Sequence, residues 1–187
     1  MLTLSNKISI SRILFIPPLV FSIIQVHRYA QYRYVCLALI FIICISDILD
    51  GYIARKRDEV TRLGIYLDPV ADKLVLMISC IMLSSDSLWP APRFPNWVPM
   101  IIICCDLTLI LGTLALLFVT GRVNCKPTIP GKASTCLQIT AIVAVIVGNH
   151  VPLSILTAIW WIAAVFTFAS SLFYVYRNLS LQSNVHR

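Results

Sequence analysis

Charge is scarce in this chain. Asp, Glu, Lys and Arg make up only 12% of its 187 residues, against about 25% in a soluble globular protein. So little polar surface cannot coat a water-soluble particle, and a soluble enzyme is excluded. Disorder is excluded as well, because it needs low hydrophobicity and high charge. Histidine is limited to His27, His150 and His186, and the seven cysteines lack metal-ligand spacing. Cys104 and Cys105 are adjacent and too cramped for an ordinary disulfide. Most of the cysteines sit in apolar runs and read as small buried hydrophobes. Internal repeats and low-complexity tracts are missing. So is the alternation of a membrane barrel. A cleavable leader is also not convincing: Pro17-Pro18 interrupt the first apolar stretch, and no clear A-x-A site follows.

What is present is apolar. Hydrophobic residues reach 59%, and the mean hydropathy is +0.87. A spanning helix needs roughly 20 mostly apolar residues, and six candidates can be drawn. They run from about Ile13 to Val26, Val35 to Arg55, Leu63 to Ser84, Trp97 to Thr120, Lys132 to Val147 and Pro152 to Tyr176. A polar segment around Leu4–Arg12 precedes the first and reads as a short interfacial helix. The predicted fold is therefore an all-α integral membrane protein. It is a bundle of six transmembrane helices with a short N-terminal interfacial helix, forming one domain over residues 1–187. The stretch from Trp89 to Pro95 reads as an extended loop, because it holds three prolines. Trp89, Trp97, Tyr174 and Tyr176 fall near helix ends, as interfacial aromatics do.

The net charge is +7, but the basic residues are not a nucleic-acid patch. They form short clusters between apolar runs. Lys7, Arg12, Arg55, Lys56, Arg57, Arg62, Arg122, Lys126, Lys132, Arg177 and Arg187 fall on one side. Arg28, Arg33 and Arg93 fall on the other. The positive-inside rule then predicts that both termini and the 56–62 loop are cytoplasmic.

The carboxylates are the informative residues. There are eight, and four lie in the apolar ends of helices two and three: Asp47, Asp50, Asp68 and Asp72. A charge in a membrane segment costs about 2.5–3.5 kcal/mol or more, so it marks a functional site by default. Asp47 and Asp50 are spaced i, i+3; Asp68 and Asp72 are spaced i, i+4. Each pair shares a helix face. A short connection makes the two helices antiparallel neighbours and brings the pairs to similar depth. Four carboxylates in one small volume must protonate in part or hold cations. All-oxygen donors favour Mg²⁺, Mn²⁺ or Ca²⁺ over zinc. Gly51 and Gly64 suit close approach of a ligand or helix.

Together these residues read Asp47-x2-Asp50-Gly51-x2-Ala54-Arg55-x8-Gly64-x3-Asp68-x3-Asp72. The pattern spans 26 residues and resembles, at every fixed position, the signature of the CDP-alcohol phosphatidyltransferases. That resemblance implies a six-helix membrane enzyme, usually a homodimer, that moves a phosphatidyl or related group from a CDP-linked donor to an alcohol and releases CMP. It implies that Asp47, Asp50, Asp68 and Asp72 ligate two Mg²⁺ ions, with Mn²⁺ as an alternative. Asp72 is implied as general base. Gly51, Ala54, Arg55 and Gly64 are implied to line the cytidine diphosphate site.

Outside that pattern, Asn6-x2-Ser9-x2-Arg12 resembles the family's Asn-x-x-Thr-x-x-Arg and implies donor contacts; an amphipathic helix with a snorkelling Arg12 is the plainer reading. Gly131-Lys132-x2-Thr135 resembles a stretch opening helix five in the glycerophosphate-using and cardiolipin-forming branches. There Lys132 faces an acceptor phosphate, with Arg122 and Arg177 as companions; interfacial anchoring is the alternative for all three. Asp106 either pairs with Lys132 or Arg122 near the acceptor or is a structural charge within the bundle. Those branches commonly carry Arg before this acid, whereas this chain has Cys105.

The expected reaction is transfer of a phosphatidyl group from CDP-diacylglycerol to glycerol 3-phosphate, giving phosphatidylglycerophosphate and CMP. The alternatives are a cardiolipin-forming enzyme with phosphatidylglycerol as acceptor and a small polytopic cation transporter using the acidic cluster. The expected setting is a bacterial inner membrane, with the site at the cytoplasmic face.

Overall fold

The computed structural model describes residues 4–57, 62–120 and 129–185, with side chains described over 13–46, 70–114, 130–148 and 150–177. Among the described residues, helix is the only regular secondary structure. The elements are α1 (Leu4–Gln25), α2 (Tyr32–Arg57), α3 (Arg62–Met82), α4 (Trp97–Thr120), α5 (Ile129–Val147), a 3₁₀ turn (Gly148–His150) and α6 (Leu153–Val185). Backbone groups in hydrocarbon have no water to bond to, so long apolar runs become helices. Among the described residues, three helices carry stretches long and apolar enough to cross a membrane: Trp97–Leu114, Pro130–Val147 and Leu153–Arg177. Shorter apolar stretches occupy Ile13–Gln25 and Tyr32–Ser46.

The leading segment corrects one expectation. It is not a separate interfacial helix; its residues form the first turns of α1, which runs unbroken from Leu4 through Pro17 and Pro18 to Gln25. Each proline removes one N–H from the helical ladder. Neighbouring groups can compensate in a membrane helix, and the Ser22 hydroxyl donates to the Pro18 carbonyl at 2.7 Å.

The chain divides into two compact units: Met1–Phe94 with Ile142–Val151, and Pro95–Ala141 with Pro152–Arg187. In the first, α1 packs along both α2 and α3. The buried positions recur at helical spacing: Leu19, Ile23 and Val26 on α1; Cys36, Ile40 and Ile43 on α2; Ala71, Val75, Ser79 and Cys80 on α3.

The end of this unit where α2 begins and α3 finishes is closed by a folded loop. The Phe94 amide donates to Leu83 O at 3.1 Å and the Trp89 amide to Ser85 O at 3.0 Å. The Trp89 indole donates to Pro92 O at 3.2 Å. Arg33 lies over the Trp89 ring, 5.0 Å from its centre, and donates to Ala91 O at 3.4 Å. Asp86 and Arg93 form an ion pair. The Ala91–Pro92 peptide is cis. Gly148 meets this loop so closely that a Cβ there would stand 2.3 Å from Pro92 Cγ. Trp89 is therefore not an interfacial aromatic: it is 0% exposed, covered by its own loop and by Arg33.

In the second unit α4 packs on α6. Val98 and Ile102 on α4, and Leu156, Trp160, Ala163 and Ala164 on α6, are buried; the alanines permit close approach. Trp97 and Trp161 stack at 4.5 Å between ring centres. Thr113 Oγ1 and the Tyr174 hydroxyl share a hydrogen bond of 2.6 Å. Phe166, Phe168, Leu172 and Phe173 of α6 are exposed, the pattern of a surface solvated by lipid.

Candidate functional site

The acidic pattern falls on two helices. Asp47, Asp50, Gly51, Ala54 and Arg55 all lie on α2, which continues as helix to Arg57 despite the glycine. Gly64 lies in the first turn of α3, with Asp68 and Asp72 in the following turns. The i, i+3 and i, i+4 spacings are thus realised on helical backbone, and each pair shares a face. Helix α1, which bears Asn6, Ser9 and Arg12 in its first turns, packs on both helices. The side chains of Asn6, Ser9, Arg12, Asp47, Asp50, Gly51, Ala54, Arg55, Gly64 and Asp68 lie outside the described residues. Asp72 and Lys73 are described: both are half-buried, next to the buried Ala71.

The donor set itself is a test of fit for a metal. It consists of four carboxylates on two helices of one unit, with no thiol or imidazole in the pattern. Hard divalent ions with flexible oxygen coordination match it, and zinc does not.

The residues assigned to the acceptor separate in their environments. Lys132 is exposed on the first turn of α5. Just before it, the Gly131 carbonyl accepts the hydroxyls of Ser134 at 2.9 Å and Thr135 at 3.1 Å. Arg177 is half-buried on α6, one turn beyond Tyr174. Arg122 lies outside the described residues.

Asp106 is 0% exposed on α4. Both its oxygens lie 3.4 Å from Nε2 of Gln138 on α5, and the same nitrogen donates to Thr167 Oγ1 on α6 at 3.2 Å. Gln138 and Thr167 are also fully buried. Among the described residues the Asp106 carboxylate receives the Gln138 amide, an arrangement that fits a charge held within the bundle, while Lys132 is exposed. Cys105, the residue before Asp106, is buried. Sequence reasoning passed over Gln138 and Thr167. A Gln in the middle of an apolar run was an available signal, since amides hydrogen-bond between membrane helices. Thr167 offered none, because Thr is common in such helices.

The long apolar helices are those of an α-helical membrane protein, and the acidic pattern lies on two of its helices. The CDP-alcohol phosphatidyltransferase family model matches residues 2–169, and the chain belongs to that family. It is a transferase of phospholipid synthesis, and the cation-transporter reading gives way to this. Among relatives, the chain is 32% identical to the CDP-diacylglycerol–glycerol-3-phosphate 3-phosphatidyltransferase of Bacillus subtilis, over 95% of this chain and 96% of that one. It is 27% identical to the protein of the same name from Aquifex aeolicus, over 77% of this chain and 75% of that one. A Mycobacterium tuberculosis protein whose name proposes a cardiolipin synthase is 29% identical over 86% of this chain and 73% of that one.

Proposed function

We propose that this protein transfers the phosphatidyl group of CDP-diacylglycerol to glycerol 3-phosphate, forming phosphatidylglycerophosphate and CMP. The observation that carries the proposal is the complete acidic pattern on α2 and α3 of a chain that belongs to this family. The Bacillus subtilis relative, matched nearly end to end, favours glycerol 3-phosphate as the acceptor.

Asp47, Asp50, Asp68 and Asp72 are the residues that would hold two Mg²⁺ or Mn²⁺ ions. When bound, the ions supply charge neutralisation around the diphosphate. Asn6, Ser9, Arg12, Gly51, Ala54, Arg55 and Gly64 bind and orient the CDP portion of the donor. Asp72 takes the proton of the acceptor hydroxyl as its oxygen bonds to the lipid-side phosphorus. The diphosphate P–O bond breaks, and CMP leaves with the electron pair. Lys132, Arg122 and Arg177 hold the acceptor phosphate as fixed cations, with Asp106 as a nearby acidic member of the set.

The proposal includes six membrane crossings, cytoplasmic termini and active site, a bacterial inner membrane and a homodimer. It treats residues 1–187 as one catalytic domain, and the family match running through both units supports this. The positive clusters at Arg55–Arg57 and Lys126–Lys132 support the orientation.

The mycobacterial relative supports phosphatidylglycerol as a second acceptor reading. Purified protein in detergent, given CDP-diacylglycerol and Mg²⁺, decides between them. Release of CMP with glycerol 3-phosphate, abolished by EDTA and restored by Mg²⁺, is the expected result. Release with phosphatidylglycerol alone moves the protein to the cardiolipin-forming branch.

A further inference from the structure

We infer that Gln138 is a positioning residue: by bonding to Asp106 and Thr167 it fixes the rotation of α5 about its axis, and so the direction in which Lys132 is presented to the acceptor. This rests on the proposed contact between Lys132 and the acceptor phosphate.

A helix packed only by apolar contacts in hydrocarbon is weakly held in rotation, because lipid tails and aliphatic side chains are nearly equivalent neighbours. One amide bonded to two different helices removes that freedom. The nitrogen of Gln138 carries two hydrogens. Its contacts at 3.4 Å to both Asp106 oxygens and at 3.2 Å to Thr167 Oγ1 direct them to α4 and α6 respectively. All three side chains are buried within one unit of the chain.

Lys132 precedes Gln138 by six residues, which places it about 120° around the helix axis. Ser134, one turn before Gln138, lies on the amide's side and is 1% exposed. The hydroxyls of Ser134 and Thr135 both bind the Gly131 carbonyl, which ties the first turn to the turn above it. A rotation set at Gln138 is therefore carried to Lys132 through hydrogen-bonded backbone. Lys132 is exposed, so the helix beneath it decides where its ammonium begins its reach.

The test is steady-state CMP release in detergent, with glycerol 3-phosphate and CDP-diacylglycerol varied in turn. Gln138→Met keeps length and apolar fit but removes both bonds. It is expected to raise KM for glycerol 3-phosphate about tenfold, the average worth of two interhelical hydrogen bonds in a membrane protein. KM for CDP-diacylglycerol should stay unchanged. Thr167→Val removes one bond and guards against a misfolded Gln138 variant. It should raise the same KM about threefold, the average worth of one interhelical hydrogen bond in a membrane protein. In a Lys132→Ala background, Gln138→Met should add little, because residues acting through one another are not additive.

Loss of active protein with both KM values intact would show helix-holding alone and overturn the inference. If Lys132→Ala raises the acceptor KM but neither Gln138→Met nor Thr167→Val does, the inference fails and the Lys132 reading stands. If Lys132→Ala leaves the acceptor KM unchanged, both fail.

Discussion

Two groups of polar residues sit in apolar helices of this protein, and they differ in kind. On α2 and α3, four carboxylates recur with glycines between them and cationic residues just beyond. On α4, α5 and α6, Asp106, Gln138 and Thr167 each stand singly in an apolar run and are joined by hydrogen bonds. The first group repeats one sign of charge along two helices, and like charges brought close disfavour ionisation unless cations join them. The second distributes one acid, one amide and one hydroxyl so that donors meet acceptors. The proposed chemistry draws on the first group, whereas the second joins three helices by hydrogen bonds.

That contrast breaks most directly at Asp72. Asp72→Asn is expected to lower CMP release about a thousandfold, the middle of the range for loss of a general base. Thermal unfolding should barely change, because the residue is only half-buried. Retention of more than a tenth of the activity would remove Asp72 from the base role.

The loop end of the first unit should respond in the opposite way. Trp89→Ala empties a fully buried indole site and is expected to cost about 3–5 kcal/mol. Turnover per folded molecule should persist. Chemical unfolding followed alongside CMP release measures both, and a stable but inactive variant would contradict the division of roles. Gly148→Ala drives a methyl into the Pro92 ring. Its expected cost is about 1–3 kcal/mol, the usual toll of overpacking, again without effect on KM; an unchanged unfolding midpoint would show that the loop yields.

The smallest effect belongs to α4 and α6. Tyr174→Phe deletes the partner of Thr113 and should lower stability by about 0.5–1.5 kcal/mol. A larger fall in acceptor affinity than in stability would place Tyr174 beside Arg177 in binding, and so blur the contrast.

The helices themselves were easy to read. The run Trp97–Thr120 was placed end for end, because hydrocarbon leaves a long apolar segment no other hydrogen-bonded form. The acidic pattern stood out for a related reason: an Asp in an apolar run opposes its surroundings, and the proposed function draws on that contrast. What escaped were features in which polarity is locally cancelled. Gln138 and Thr167 look unremarkable until three helices converge. Trp89 looked like an interfacial aromatic, because the fold of residues 83–94 depends on a distant Arg33 and on Gly148, which no local rule connects to it. Prolines break helices in water, but the first apolar run was read across Pro17 and Pro18, and the chain is helical there.

The stacked indoles of Trp97 and Trp161 have an optical consequence. At 4.5 Å between centres and with planes 36° apart, their electronic transitions couple, whereas Trp89 lies in its own loop. The protein should therefore show an excitonic couplet in circular dichroism that Trp161→Phe abolishes. The couplet needs no label and survives in detergent. Its decay on heating would time the parting of α4 from α6 apart from the melting of the helices themselves.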